Sequence, residues 1–114
     1  MKLSVVMPVY NSEKFLHHSV GSVLKQSSRD FELVCTDDGG TDGGAALLDA
    51  FALTDSRLTV IHKPNERINE ARFDGIKAAR GEFIGFIDSD DIVHPRTYEW
   101  ALAALEDSGA ELAH

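Results

Sequence analysis

Leu3-Ser-Val-Val-Met-Pro-Val9 is an apolar run without alternation, the pattern of a β-strand buried on both faces. Downstream of it the apolar spacing switches repeatedly between helix and strand periods. Asn11 or Ser12 is placed to cap a first helix, with Phe15 as a hydrophobic staple and Leu16, Val20, Val23 and Leu24 as the inward stripe. Phe31-Glu-Leu-Val-Cys-Thr36 reads as a second strand, and Gly39-Gly40-Thr41-Asp42 as a turn that delivers Thr41 or Asp42 as the next cap. A second helix then turns Ala45, Leu48, Phe51 and Ala52 inward. Leu58-Thr-Val-Ile61 reads as a third strand, and a third helix is expected from Asn65 to Ala79, ended by Gly81 in a left-handed cap. Glu82-Phe-Ile-Gly-Phe-Ile87 is the expected fourth strand. A fourth helix starts at Pro95 with Trp100, Leu102 and Leu105 as anchors, and residues Ala110 to Ala113 are expected to begin a fifth strand.

Strands alternating with helices at this spacing specify an α/β fold, a mostly parallel Rossmann-like sheet with helices on both faces. The 114 residues suffice for a single domain spanning 1–114, and a hydrophobic share of 43% gives it material for a core. Right-handed crossovers favour the strand order 3-2-1-4, with a switch point between the first and fourth strands. Ligands of open α/β sheets bind at the carboxyl ends of the strands near such a point, here Pro8 to Asn11 and Asp88 to Asp91.

The net charge of −8 argues against nucleic acid as a partner, because phosphate binding needs clustered Lys and Arg. The single cysteine, Cys35, excludes an internal disulfide. The N-terminus lacks the apolar core and cleavage site of a secretory signal, and the cytoplasm is the expected compartment.

The acid is concentrated. Asp37, Asp38 and Asp42 follow the second strand, and Asp88, Asp90 and Asp91 follow the fourth. Asp88-Ser-Asp-Asp91 ends the fourth strand, and alternation along it puts Asp88 and Asp90 on one side, where their repulsion is relieved by hydration, by a proton or by a divalent cation. Hard oxygen ligands without a nearby Cys or His pair favour Mg²⁺ or Mn²⁺, and Mg²⁺ is typically held by one or two carboxylates together with substrate phosphates. The plainer reading is that these aspartates only cap the fourth helix. The second stretch is likewise either a capped glycine-rich turn or a place where a carboxylate meets a base or ribose. Arg72, on the apolar face of the third helix, requires an anionic partner, either a structural ion pair or a diphosphate. Lys63, Arg67 and the histidines, His62 and His94 among them, are read as surface or packing residues.

Taken together, Ser4-Val-Val-Met-Pro-Val-Tyr-Asn11, Asp37-Asp-Gly-Gly-Thr-Asp-Gly43, Glu70-Ala-Arg72 with Gly75, and Gly81-Glu-Phe-Ile-Gly-Phe-Ile-Asp-Ser-Asp-Asp91 resemble the family 2 glycosyltransferases of the GT-A fold. The resemblance implies that Pro8, Val9 and Tyr10 line a nucleotide pocket and that Asp38 hydrogen-bonds the base, usually uracil. It implies that Arg72 faces the base or diphosphate, that Asp88 and Ser89 belong to the donor site, and that Asp90 coordinates Mn²⁺ or Mg²⁺. The implied reaction is inverting transfer of a sugar from a nucleotide-diphosphate sugar, UDP-linked, to an acceptor hydroxyl. The implied partners are the nucleotide-sugar donor and a saccharide or lipid-linked saccharide acceptor, with peripheral membrane association of the longer enzyme.

Gly40, Arg67 and Phe73 stand where the family usually has Ser, Gly and Asn, which leaves the donor sugar open. The catalytic base is expected beyond His114, and the chain is expected to be the inactive donor-binding part of a longer enzyme. Apolar surface near the fourth helix is expected to be exposed and to favour a homodimer. The competing reading keeps the fold and makes nucleotide binding without transfer the whole function.

Overall fold

The computed structural model describes residues 3–26, 30–39, 41–63 and 74–108, with 105–108 described by their backbone alone. Strand β1 (Leu3–Val9) leads into helix α1 (Glu13–Leu24), then β2 (Phe31–Asp37), α2 (Gly44–Thr54) and β3 (Leu58–His62). Helix α3 is described over 74–78, and β4 (Phe83–Phe86) and α4 (Thr97–Ser108) follow. The strands form one parallel sheet in the order β3-β2-β1-β4, as the alternation implies. The expected helix from Asn65 is described only in its last turns, and the region of the expected fifth strand lies outside the described residues.

The two central strands, β1 and β2, are buried along their whole lengths. This is why their sequences carry no polar alternation. Val5, Met7, Leu33 and Cys35 meet Leu16, Val20 and Val23 of α1 and Leu48 of α2 in one core cluster. Burial pushes the Cys35 thiol up to about 12, so it stays protonated and packs as a small apolar group.

One polar group is locked inside. Glu32 of β2 is buried, accepting a hydrogen bond from Ser4 Oγ at 2.5 Å and another from the Arg80 backbone N–H at 2.6 Å. Its second oxygen faces the Arg80 guanidinium at 3.3 Å. Ser4 Oγ in turn accepts the Gly81 N–H at 2.7 Å. Thus β1, β2 and the segment leading into β4 are tied at their amino ends by a carboxylate whose hydrogen bonds are made.

Gly81 does not cap a helix in the left-handed conformation: among the described glycines only Gly39, at φ 71°, has positive φ. Its role is close approach. A Cβ there would lie 2.6 Å from Ser4 N and 2.7 Å from Leu3 C.

The first turns of α1 and α2 cap each other. Ser12 makes no side-chain cap bond; instead the Glu13 N–H donates to Asp42 Oδ2 at 3.0 Å. The Gly43 N–H donates back to Glu13 Oε1 at 2.9 Å, and Asp42 Oδ1 also accepts the Gly44 N–H at 2.9 Å. Two carboxylates therefore satisfy exposed N–H groups at the positive ends of two helices, each across the gap. Asn11 completes the link from a left-handed conformation (φ 49°), its Oδ1 accepting the Thr41 N–H at 2.7 Å.

Other expectations change with packing. Phe15 is 41% exposed, with the Lys14 ammonium over its ring, so it is no staple. Trp100 is 51% exposed, stacked on His94 and flanked by the Arg96 guanidinium, whereas Tyr98 and Leu102 supply the buried contacts of α4. With Phe86 and Ile92, Trp100 belongs to the large apolar side chains left exposed, which agrees with the surface expected near this helix. No helix among the described residues is long and apolar enough to cross a membrane.

Two stability tests follow. Gly81→Ala forces a methyl group against backbone atoms of β1, and we expect a loss of about 1–3 kcal/mol in urea unfolding. At Asn11, both Ala and Gly remove the bond to Thr41, but only Ala must hold a Cβ at positive φ. Asn11→Ala should therefore be less stable than Asn11→Gly by about 1 kcal/mol in the same measurement.

Candidate functional site

The carboxyl ends of the strands form one edge. Val9 of β1 pairs with Asp37 of β2, which pairs with His62 of β3, so three strands finish level. On the other side of β1 the ladder runs past β4, because the Ile87 N–H still donates to Val6 O at 3.1 Å. The chain then turns at Asp88-Ser89-Asp90-Asp91, closed by the Asp91 N–H donating to Asp88 O at 3.1 Å.

This turn, rather than strand alternation, gathers the acidic groups. Asp88, Asp90 and Asp91 each offer a carboxylate oxygen, all within 4.8 Å of one another, and all three residues are exposed. The group contains no His or Cys. Its donor set is hard, anionic and open to solvent, which fits Mg²⁺ or Mn²⁺ with positions left for phosphate and water. The three residues beside it are Ile87, Ile92 and Val93, which with Phe86, Asp88 and Asp91 line an open cleft of about 420 Å³.

The aspartates are not the cap of α4. That task falls to Gln26 at the end of α1, whose Oε1 accepts the Tyr98 N–H at 3.1 Å while its Nε2 donates to His94 O at 2.7 Å. Ser22 Oγ accepts the Val93 N–H at 3.2 Å. The segment after the acidic turn is thus held by Ser22 in the last turn of α1 and by Gln26 just past it. The turn itself is tied to the first loop by a 2.6 Å hydrogen bond between Ser12 Oγ and Ser89 Oγ.

Of the other expected site residues, Pro8 and Val9 are buried at the end of β1 and Tyr10 is exposed just beyond it. Val9 contributes its carbonyl, which accepts the Asp38 N–H at 2.8 Å. Asp38 is buried at the end of β2, beside Gly39 in its left-handed conformation. The fold therefore sets Asp38 on one flank of the β1 terminus and the acidic turn on the other, two strand spacings or about 10 Å apart. Arg72, Gly40, Arg67 and Phe73 lie outside the described residues.

Of two residues read as surface groups, Lys63 is placed otherwise, and His62 is exposed as expected but engaged by two carboxylates. Lys63 is only 10% exposed in its side chain and is ion-paired with Asp74 of α3. His62 lies between two carboxylates, with Nδ1 at 2.9 Å from Asp37 Oδ2 and Nε2 at 2.8 Å from Asp49 Oδ1. Hydrogen bonds to Asp37 and then Asp49 raise the His62 pKa above its ordinary value. The sequence signal available was position alone, a histidine ending a strand beside an Asp-Asp pair.

Comparison with known proteins agrees with this geometry. Residues 4–114 match the family described as Glycosyl transferase family 2. The chain is 37% identical over 111 residues to Glycosyltransferase GlyG of Streptococcus pneumoniae, covering 96% of this chain and 37% of that protein. The crystal structure of S. aureus TarS superposes with a TM-score of 0.88 at 32% identity, over 96% of this chain and 20% of that one. TarS 1-349 in complex with UDP-GlcNAc gives a TM-score of 0.85 at 33% identity, over 94% of this chain and 32% of that one. The chain thus spans about a third or less of the lengths of these relatives. With the family matched over nearly every residue and the fold shared, this chain belongs to glycosyl transferase family 2.

Proposed function

We propose that the chain is the donor-binding part of an enzyme that transfers a sugar, with inversion, from a UDP-linked sugar to an acceptor hydroxyl. The observation that carries this reading is the convergence of three exposed carboxylates within 4.8 Å at the same sheet edge as Asp38. The likeness to TarS bound to UDP-GlcNAc supports the choice of uridine nucleotide.

In this reading Asp38 accepts a hydrogen bond from the base, and Pro8, Val9 and Tyr10 form the adjoining wall. Burial and the bond from its own N–H to Val9 O hold Asp38 in place before ligand arrives. Arg72 is assigned to the base or diphosphate side. Asp90 is the metal ligand, with Asp88 and Ser89 on the donor. A bound Mn²⁺ or Mg²⁺ supplies Lewis-acid neutralisation of charge on the leaving diphosphate. The protein's part is positional: the Ser12–Ser89 bond joins the acidic turn to the loop carrying Tyr10, so these two parts of the donor site keep their spacing. The acceptor and the general base are assigned to the rest of the enzyme.

Titration calorimetry of the full-length protein with UDP, with and without Mn²⁺, tests this. We expect nucleotide and metal to bind better together than separately, because the cation carries the charge that the diphosphate needs. Asp90→Asn should remove that synergy and keep the fold. Asp38→Asn should weaken UDP binding about tenfold, the worth of one charge-assisted hydrogen bond, and keep the metal dependence. Equal UDP affinity with and without metal in the parent would reject the metal site.

A further inference from the structure

His62 faces an acceptor on each side. A neutral imidazole has one N–H and one bare nitrogen, so it can donate to only one of Asp37 and Asp49. Satisfying both contacts, at 2.9 and 2.8 Å, requires the imidazolium. Asp37 is buried, Asp49 lies exposed on α2, and the backbone around Asp37 is doubly engaged. The Lys63 N–H donates to Asp37 O at 3.0 Å, and the next residue, Asp38, donates its N–H to Val9 O.

We propose that His62 is a positioning residue of the nucleotide pocket: by bridging Asp37 to Asp49 it anchors the end of β2 against α2 and so fixes how Asp38 is presented to the base. The inference rests on the assignment of Asp38 to the nucleotide. Its content is that a residue on β3, without touching the ligand, sets the affinity of the pocket in a pH-dependent way. The charged groups around His62 are Asp37 from β2, Asp49 from α2, and Lys63 just past the end of β3, whose ammonium is paired with Asp74 of α3.

Loss of the proton leaves one carboxylate facing a lone pair; the remaining N–H stays on the buried Asp37, which is costlier to leave unsatisfied, so the contact with the exposed Asp49 is lost and the end of β2 is no longer tied to α2. The sign follows from the direction of the shift. The His62 pKa is raised in the folded protein, so the bridge is complete below the ordinary histidine range of about 6.5 and is lost as pH rises through the raised value. UDP should therefore bind more weakly on the alkaline side. His62 is 45% exposed in its side chain, and a partly solvated ion pair of this kind sets the effect at about two- to fivefold.

The experiment is UDP affinity of the full-length protein against pH at constant Mg²⁺, for the parent, His62→Gln and Asp49→Asn. Comparing variants at each pH cancels the ionisation of UDP itself. The parent should lose affinity across the transition relative to His62→Gln, whose profile should lack that step. Asp49→Asn removes one exposed carboxylate on α2, and should move the step to lower pH with the fold intact by circular dichroism. His62→Gln and parent profiles that superimpose would overturn the inference while leaving the donor site standing, as would an Asp49→Asn step at the parent's pH. A parent that binds no UDP at any pH would remove the donor-site reading and this inference with it.

Discussion

The buried Glu32 carboxylate governs where everything else lies. A strand in this sheet can slip only by changing which side chains face which layer, since alternate residues point to opposite faces. In β1 and β2 the apolar residues run through both faces, so hydrophobicity alone distinguishes registers poorly. The hydrogen bonds from Ser4 and Arg80 do distinguish them: a slip of one residue would leave a charged carboxylate in the core without donors. By fixing Leu3 opposite Phe31 and Phe83, this one group determines that Asp37 ends level with Val9 and that the acidic turn emerges on the other flank. The site is set at the opposite end of the sheet from the interaction that aligns it.

The features that could be read from the sequence are those produced by local pattern. The strand order follows from the alternation of apolar runs and helical stripes, and the two acidic stretches are visible because they end apolar runs. The features that could not be read depend on partners about thirty or more positions away. Asp42 looks like the cap of the helix that follows it, and it is, but it also caps α1. The aspartates at 88–91 look like caps for α4 because Ser and Asp ahead of Pro95 are good turn formers; the true partner of that helix is Gln26, seventy-two residues from Tyr98. Gly81 was legible as a glycine that matters and misread as to why, since close approach to Ser4 leaves no mark in spacing.

Trp100 and His62 illustrate the reverse error. A tryptophan on a helix is usually counted toward the core because of its area, yet here His94 and Arg96 cover its ring and leave it half in solvent. A histidine ending a strand is usually counted as a solvated group without a task; His62 is indeed half in solvent, yet two carboxylates from different elements converge on it. In both, the decisive information is the crossing of elements in three dimensions. Arg72, the residue whose chemistry was most pointed in the sequence, lies outside the described residues.

The exchange of carboxylates between Glu13 and Asp42 has a dynamic consequence. A helix capped by its own side chain can fray at its first turn while its neighbours stay formed. Here the opening of α1 withdraws Glu13 from Gly43, and the opening of α2 withdraws Asp42 from Glu13, so neither terminus can loosen alone without orphaning the other's donors. The rim of the sheet between β1 and β2 therefore breathes as one cooperative unit, and amide protons on both helix starts share a single opening event.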